Sequence, residues 1–304
     1  MFWAFLTTVL FSISAVTGNR TAKILGGTEA NFWRLLFALL LLGTYSHLWG
    51  VGLAGTAFPI FLLSGCIGFG GDVALFQTLP RLGSRLSILL VQCLAAPIAA
   101  VTEWLWLGTT LTPLQIMGAV TILVGVAIAL APSEHLKLSR QELVPGIFFG
   151  VLAALGQGGG AVISRKANAV AQQAGEHING INAAYQRIIG GVIVAGLFLL
   201  AVKVHARRQG RADSCVAPAG RREQWRRAWP WVLLNGLVGP ALGVSCFQWA
   251  LMSKSTGIVL PIVAITPLVI IPFAQRMEGE RPSARSVLGG LVAVAGAVVL
   301  AVSR

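Results

Sequence analysis

Stretches of about 20 apolar residues recur along this chain, and no other feature limits its fold as strongly. A helix needs about that many residues to cross ~30 Å of hydrocarbon, and once water is gone every backbone N–H and C=O must be bonded within it. Hydropathy places ten such spans near residues 2–18, 31–47, 58–80, 86–107, 112–131, 143–164, 180–202, 231–252, 256–275 and 284–302. With 304 residues, 56% of them hydrophobic and 11% charged, and a mean hydropathy of +0.78, the expected class is an all-α integral membrane protein rather than a soluble core. The first run, FWAFLTTVLFSISAVTG, is preceded by no Lys or Arg and followed by Asn19 and Arg20. It reads as a retained span, not a secretion signal.

A formal charge of +13 would point a soluble domain toward nucleic acid. Here the Lys and Arg residues collect between the apolar runs, as the loop charges that orient a membrane protein do. The odd-numbered joints carry 17 of them, against 4 on the even joints and the C-terminus. The positive-inside rule then puts the odd joints in the cytoplasm and both termini outside. The longest joint, 203–229, is strongly basic and reads as a solvated loop rather than a domain. Cys66, Cys93 and Cys246 lie in apolar runs and Cys215 in that loop, a spacing that fits neither metal ligands nor a disulfide framework. His47, His135, His177 and His205 fall in or beside joints, so no relay of buried imidazoles is visible. No metal and no cofactor are expected, and the absence of GxxxxGK[ST] removes self-contained ATP coupling.

An internal repeat organises the spans. Displaced by 171 positions, LLSGCIGFGGDVALFQ (62–77) lies over LLNGLVGPALGVSCFQ (233–248), matching Gly65 with Gly236, Gly68 with Gly239, Phe76 with Phe247 and Gln77 with Gln248. The same displacement continues to Ser84 over Ser255, Gly108 over Gly279, Gly118 over Gly289 and Gly125 over Gly296. Smaller displacements bring Arg34 over Arg187 and NRTAK (19–23) over SRKAN (164–168), the difference being taken up by the long basic joint. Two five-helix halves, 1–135 and 136–304, follow. Five is odd, so the second copy enters the membrane in the opposite sense, the arrangement of transporters whose substrate site lies at the junction of inverted repeats.

These features resemble the drug/metabolite transporter superfamily in its ten-span EamA-type branch: the 5+5 organisation, the arginines opening spans two and seven (Arg34, Arg187), and TPLVIIPFAQRMEGERPSARSVLGGLVAVAGAVVL (266–300). In that last stretch a proline in span nine, a Gly279-Glu280-Arg281 turn and a Gly-rich final helix look like the family signature. The first half departs from it, with Thr109 where Glu would be expected. The resemblance implies a carrier of the cytoplasmic (inner) membrane, commonly an exporter of amino acids or other small metabolites, with a central cavity lined by spans three, four, eight and nine and parts of one and six.

Polar residues inside the spans are the candidate sites. Asp72 lies ~4.5 Å from the midplane by helical rise and is the deepest carboxylate; it either meets substrate or proton, or pairs with an arginine such as Arg187. Glu103 lies ~9 Å out, followed by Trp104 and Trp106, which read as an interfacial belt. GQGGG (156–160) either lets a neighbouring helix pack closely through Gly158 and Gly159 or breaks the helix and presents Gln157 to a cavity, as its mates Ser12 to Ala15 in span one suggest. Pro97 and Pro267, at similar depths in spans four and nine, are expected to kink their helices. Arg34 and Arg187 sit near span entrances, where snorkelling to headgroups competes with a structural or gating role. Gln77, Gln248, Trp249 and Tyr185 are candidates for hydrogen bonding or stacking against substrate.

The expected function is a secondary carrier, not an enzyme: a small amphipathic metabolite with an amino group enters the cavity, and Asp72, with Glu103 as the second candidate, meets its cation or exchanges a proton for it. The alternatives are a membrane receptor or scaffold and a channel-like facilitator. The expected partners are a small-molecule substrate and the lipid bilayer, not nucleic acid.

Overall fold

The computed structural model of the chain describes residues 2–53, 55–107, 112–130, 140–209, 218–253, 256–279 and 283–302, and every regular element among them is helical. Gly108, Thr109, His135, Cys215, Ser255, Glu280 and Arg281 lie outside the described residues. Six helical stretches among the described residues are long and apolar enough to cross a membrane, and two shorter apolar helices accompany them. The chain is an all-α membrane protein.

The helices are α1 (Phe2–Leu25), α2 (Gly27–Leu48), α3 (Phe58–Leu107), α4 (Pro113–Leu130), α5 (Arg140–Gln173), α6 (Gly180–Arg208), α7 (Pro218–Gly236), α8 (Val244–Ser253), α9 (Thr256–Val263), α10 (Thr266–Val269), α11 (Ile271–Glu278) and α12 (Ala284–Val302). At ~1.5 Å per residue a straight α3 would run about 75 Å, more than twice the hydrocarbon thickness. It is instead two arms joined at Gly83, whose φ of 77° suits a residue without Cβ. Gly71 and Thr78 of the first arm face Gly156 and Gly150 of α5, whereas Leu90 and Ala95 of the second face Gly150 and Gly158. The two arms therefore run in opposite senses along α5, as a hairpin.

Two stretches depart from the expected single spans. The span at 231–252 is α7 running through a π-helical turn, Leu237–Gly243, into α8; Pro240 lacks the N–H that an α-helical ladder would use there. The span at 256–275 is the series α9, α10, α11, interrupted just before Thr266 and Pro267, so a break stands where the proline is expected to act. The second arm of α3, by contrast, passes through Pro97 with no non-helical residue other than Gly83. The basic joint 203–229 is corrected too: α6 continues to Arg208 and α7 begins at Pro218. Charged side chains extend these helices into water, with Glu223 and Arg227 paired at 2.9 Å one turn apart, and Lys203 and Arg221 approaching Glu29 of α2 at 3.7 and 3.6 Å.

Helix pairs that join the two halves are held by close glycine contacts, and these contacts come in exchanged pairs. Gly118 of α4 faces Gly296 of α12 while Gly125 faces Gly289. Gly43 of α2 faces Tyr185 of α6 while Phe32 faces Gly196. In both pairs residue numbers rise along one helix as they fall along the other, so the partners are antiparallel. Under the sequence repeat each contact maps onto its mate with the halves swapped, which is how a two-fold axis relates two copies. Small residues at these crossings let backbones approach without a hydrophobic driving force between helices.

Candidate functional site

Arg34 and Arg187 are placed by the starts of their helices. Gly26, at φ 82°, ends α1 and turns the chain into α2, and Asn179 caps α6 by accepting from the Asn182 N–H at 2.9 Å. Each arginine then falls two turns inside its helix, not at its mouth, and is buried at 5% and 3% exposure. That corrects their expected position near the headgroups. Glycines explain how a guanidinium fits so deep. Arg187 crosses Gly65 and reaches past Gly68, and Arg34 crosses Gly236 and reaches past Gly239. The glycines that repeat in the sequence are the ones that receive the arginines that repeat with them.

Both arginines line a small cavity of ≈ 60 Å³ at the junction of the halves, together with Asp72, Gln92, Gln157, Ser14 and the rings of Phe11, Phe69, Phe76 and Phe247. Arg34 NH2 donates to Asp72 Oδ2 at 2.5 Å and its Nε donates to Asn31 Oδ1 at 3.0 Å, while its guanidinium lies 4.4 Å over the Phe76 ring. Arg187 lies 5.5 Å from the Phe69 ring, and its Nε has no hydrogen-bond partner among the described residues. The same holds for Gln157 Nε2 and Gln92 Oε1. The cavity thus combines a neutralised ion pair, an unpaired cation, free amide groups and aromatic walls.

GQGGG forms part of a continuous α5, so the helix-breaking alternative does not occur. Its glycines pack: Gly156 on Gly71, Gly158 on Ala95 and Ile98, and Gly160 on Gly68. Gly159 is loosely fitted, with Ile67 Cγ2 at 3.6 Å from where a Cβ would stand. Gln157 nevertheless reaches the cavity from the same turn.

The remaining candidates lie elsewhere. Glu103 is buried at the far end of the second α3 arm, accepting from Arg165 NH1 at 3.1 Å and from the Thr256 hydroxyl of α9. Gln248 donates to Ser164 Oγ at 3.2 Å, and Ser164 bonds Ser64 at 2.6 Å. Trp249 stacks on Trp3 at 4.6 Å. These contacts tie α1, α3, α5, α8 and α9 together at one end of the bundle. At the other end the Ser84 N–H donates to Glu278 at 3.5 Å, Arg85 NH1 donates to Ser286 at 2.7 Å, and Arg20 lies 4.2 Å over Trp231. Tyr185 bonds His47 Nε2 at 3.0 Å, and Gln77 donates to Thr28 at 3.2 Å, lining a separate surface groove. Pro97 and Pro267 do not line the cavity.

Gln92 was not anticipated as a lining residue. Its signal was available: a lone amide amid the apolar SILLVQCLAAP.

A family model described as the EamA-like transporter family matches residues 1–131 and 144–302 of this chain. No curated protein matches it. A solved structure described as "Crystal structure of protein" superposes with a TM-score of 0.64 at 17% identity, over 98% of this chain and 95% of the other. It shares the fold.

Proposed function

The chain belongs to the EamA-like transporter family, a family of membrane transporters of small molecules, and on that premise we propose that it is a secondary carrier exporting small amphipathic metabolites, amino acids among them, by alternating access. The observation that carries this reading is the polar-lined cavity between two ends that are each held by a handful of side-chain contacts across both halves. The second arm of α3 links them, with Ser84 at one end and Glu103 at the other. Rocking one half against the other would exchange which end is latched. Glu103, Gln248 and Trp249 act here as latch residues. Asp72 carries coupling: a proton on it removes the partner of Arg34 and so changes what holds α2 to α3.

The test is counterflow. Proteoliposomes preloaded with a substrate are expected to take up the labelled form transiently above equilibrium, and Asp72→Asn is expected to keep exchange while losing acceleration by a pH gradient. Binding without counterflow indicates a receptor, and flux far above carrier turnover a channel; either result overturns the carrier.

We place the protein in the cytoplasmic membrane with its basic side inward. Arg20, Lys23, Arg81, Arg85, Lys203 and Arg221 all belong to joints at the Gly83 end of the molecule, and cytoplasmic loops collect such charge. Both termini then face outward. A reporter enzyme active only outside the cytoplasm, fused after Arg304, is expected to be active; activity of a cytoplasm-dependent fluorescent reporter instead reverses the orientation.

A further inference from the structure

We infer that the substrate carries a single carboxylate, anchored by Arg187, with its apolar body among Phe11, Phe69, Phe76 and Phe247; this rests on the carrier reading and names its substrate class. Three charged side chains line the cavity, Arg34, Arg187 and Asp72. Arg34 is taken by Asp72 at 2.5 Å. Arg187, 3% exposed, feels Asp72 across the cavity but forms no salt bridge among the described residues, so the three side chains together carry one positive charge in excess. A guanidinium with no bonded partner is costly at membrane depth and is kept where a ligand or ion pathway uses it. The charge that balances it is one that arrives and leaves with the cargo.

The surroundings fit a carboxylate. Gly68 and Gly160 flank the Arg187 NH2 group where any side chain would crowd it, so the guanidinium is seated at the cavity wall, and a planar fork is the donor that suits a carboxylate oxygen pair. Gln157 Nε2 is a second unpartnered donor on the same wall. Gln92 Oε1 is an unpartnered acceptor, suited to an N–H or O–H elsewhere on the substrate. The excess is one charge, which a monoanion neutralises and a phosphate dianion exceeds. An amine lacking a carboxylate would face Arg187 without compensation, and Asp72 is already held by Arg34. This departs from the expectation that Asp72 meets a substrate cation.

Three probes of matched shape test it on the purified full-length chain: 3-phenylpropionate, 3-phenylpropan-1-ol and 3-phenylpropylamine, titrated calorimetrically. The carboxylate is expected to bind about tenfold or more tighter than the other two. Arg187→Gln is expected to abolish that preference by weakening the carboxylate more than the alcohol, and Asp72→Asn to keep or raise affinity for the carboxylate. Should Arg187→Gln not fold, as judged by tryptophan fluorescence on heating, Arg187→Lys and Gln157→Leu take its place, each weakening the carboxylate more than the alcohol. Preference for the amine, no binding of the carboxylate, or variants indifferent to it overturn the inference. Labelled probes separate the two levels of the reading. Carboxylate binding without counterflow sinks the carrier and supports the site; counterflow of the amine alone sinks the site and leaves the carrier.

Discussion

Arg34→Ala is expected to lower the free energy of unfolding by about 3 kcal/mol, at the low end of the ~3–5 kcal/mol seen when one partner of a buried ion pair is removed. The cost comes from what remains. Asp72 would lose the guanidinium it bonds and keep only the unbonded Arg187 of the same cavity as a counter-charge, and this, with its 21% side-chain exposure, moderates the penalty. Arg34→Ala with Asp72→Asn is therefore expected to recover most of the loss, since both charges are gone and only the contacts with Asn31 and Phe76 are missing. Tryptophan fluorescence during denaturant or thermal unfolding in detergent measures each term of this double-mutant cycle. A double variant no more stable than the single would show that the damage lies in packing, not in the stranded carboxylate.

Gly156→Ala is expected to cost about 3 kcal/mol, the upper range for overpacking, and to reduce the amount of folded protein in the membrane. A Cβ there would stand 2.6 Å from Gly71 Cα and 2.8 Å from both Gly71 N and Ile67 O, all backbone atoms that cannot rotate away. The helices α3 and α5 would have to separate. Gly159→Ala, three residues on, is the internal control. Its nearest neighbour would be a side-chain methyl at 3.6 Å, and alanine's better helix propensity of ~1 kcal/mol is expected to leave stability unchanged or raised. Equal effects at the two positions would mean the crossing is looser than its geometry.

Much of this architecture is legible in the sequence because membrane depth is a one-dimensional property. The apolar runs gave the helices, and the repeat brought Arg34 with Arg187 and Gly65 with Gly236, which the structure shows to be one device used twice. Rotation about each helix axis is what the sequence hides. A helix flanked by lipid on one side and protein on the other is apolar on both, so no polar face marks the side that meets the cavity. Asp72, Gln157, Arg34 and Arg187 turn toward it, whereas Glu103, at a readable depth, turns toward Arg165 and Thr256. The same ambiguity hid Gln92. Helix ends were misread for a different reason: hydropathy measures the hydrocarbon, and α5, α6 and α7 extend beyond it on charged turns. The π-helical turn at Pro240 comes from a single residue whose effect depends on which backbone groups its neighbours leave free, whereas the break at Gly83 falls in the joint that hydropathy left between 58–80 and 86–107.

The antiparallel seating of α4 on α12 sets an order of events during synthesis. Gly118 and Gly125 leave the ribosome early, yet the helix that covers them, with Gly289, Ala293 and Gly296, is made only after α5 to α11. Until then α4 waits in lipid with its glycine stripe bare, and a chain cut short before residue 284 leaves it bare for good. A neighbouring copy's final helix carries the matching stripe, so a truncated chain mixed with an intact one has a ready route to exchange helices between molecules.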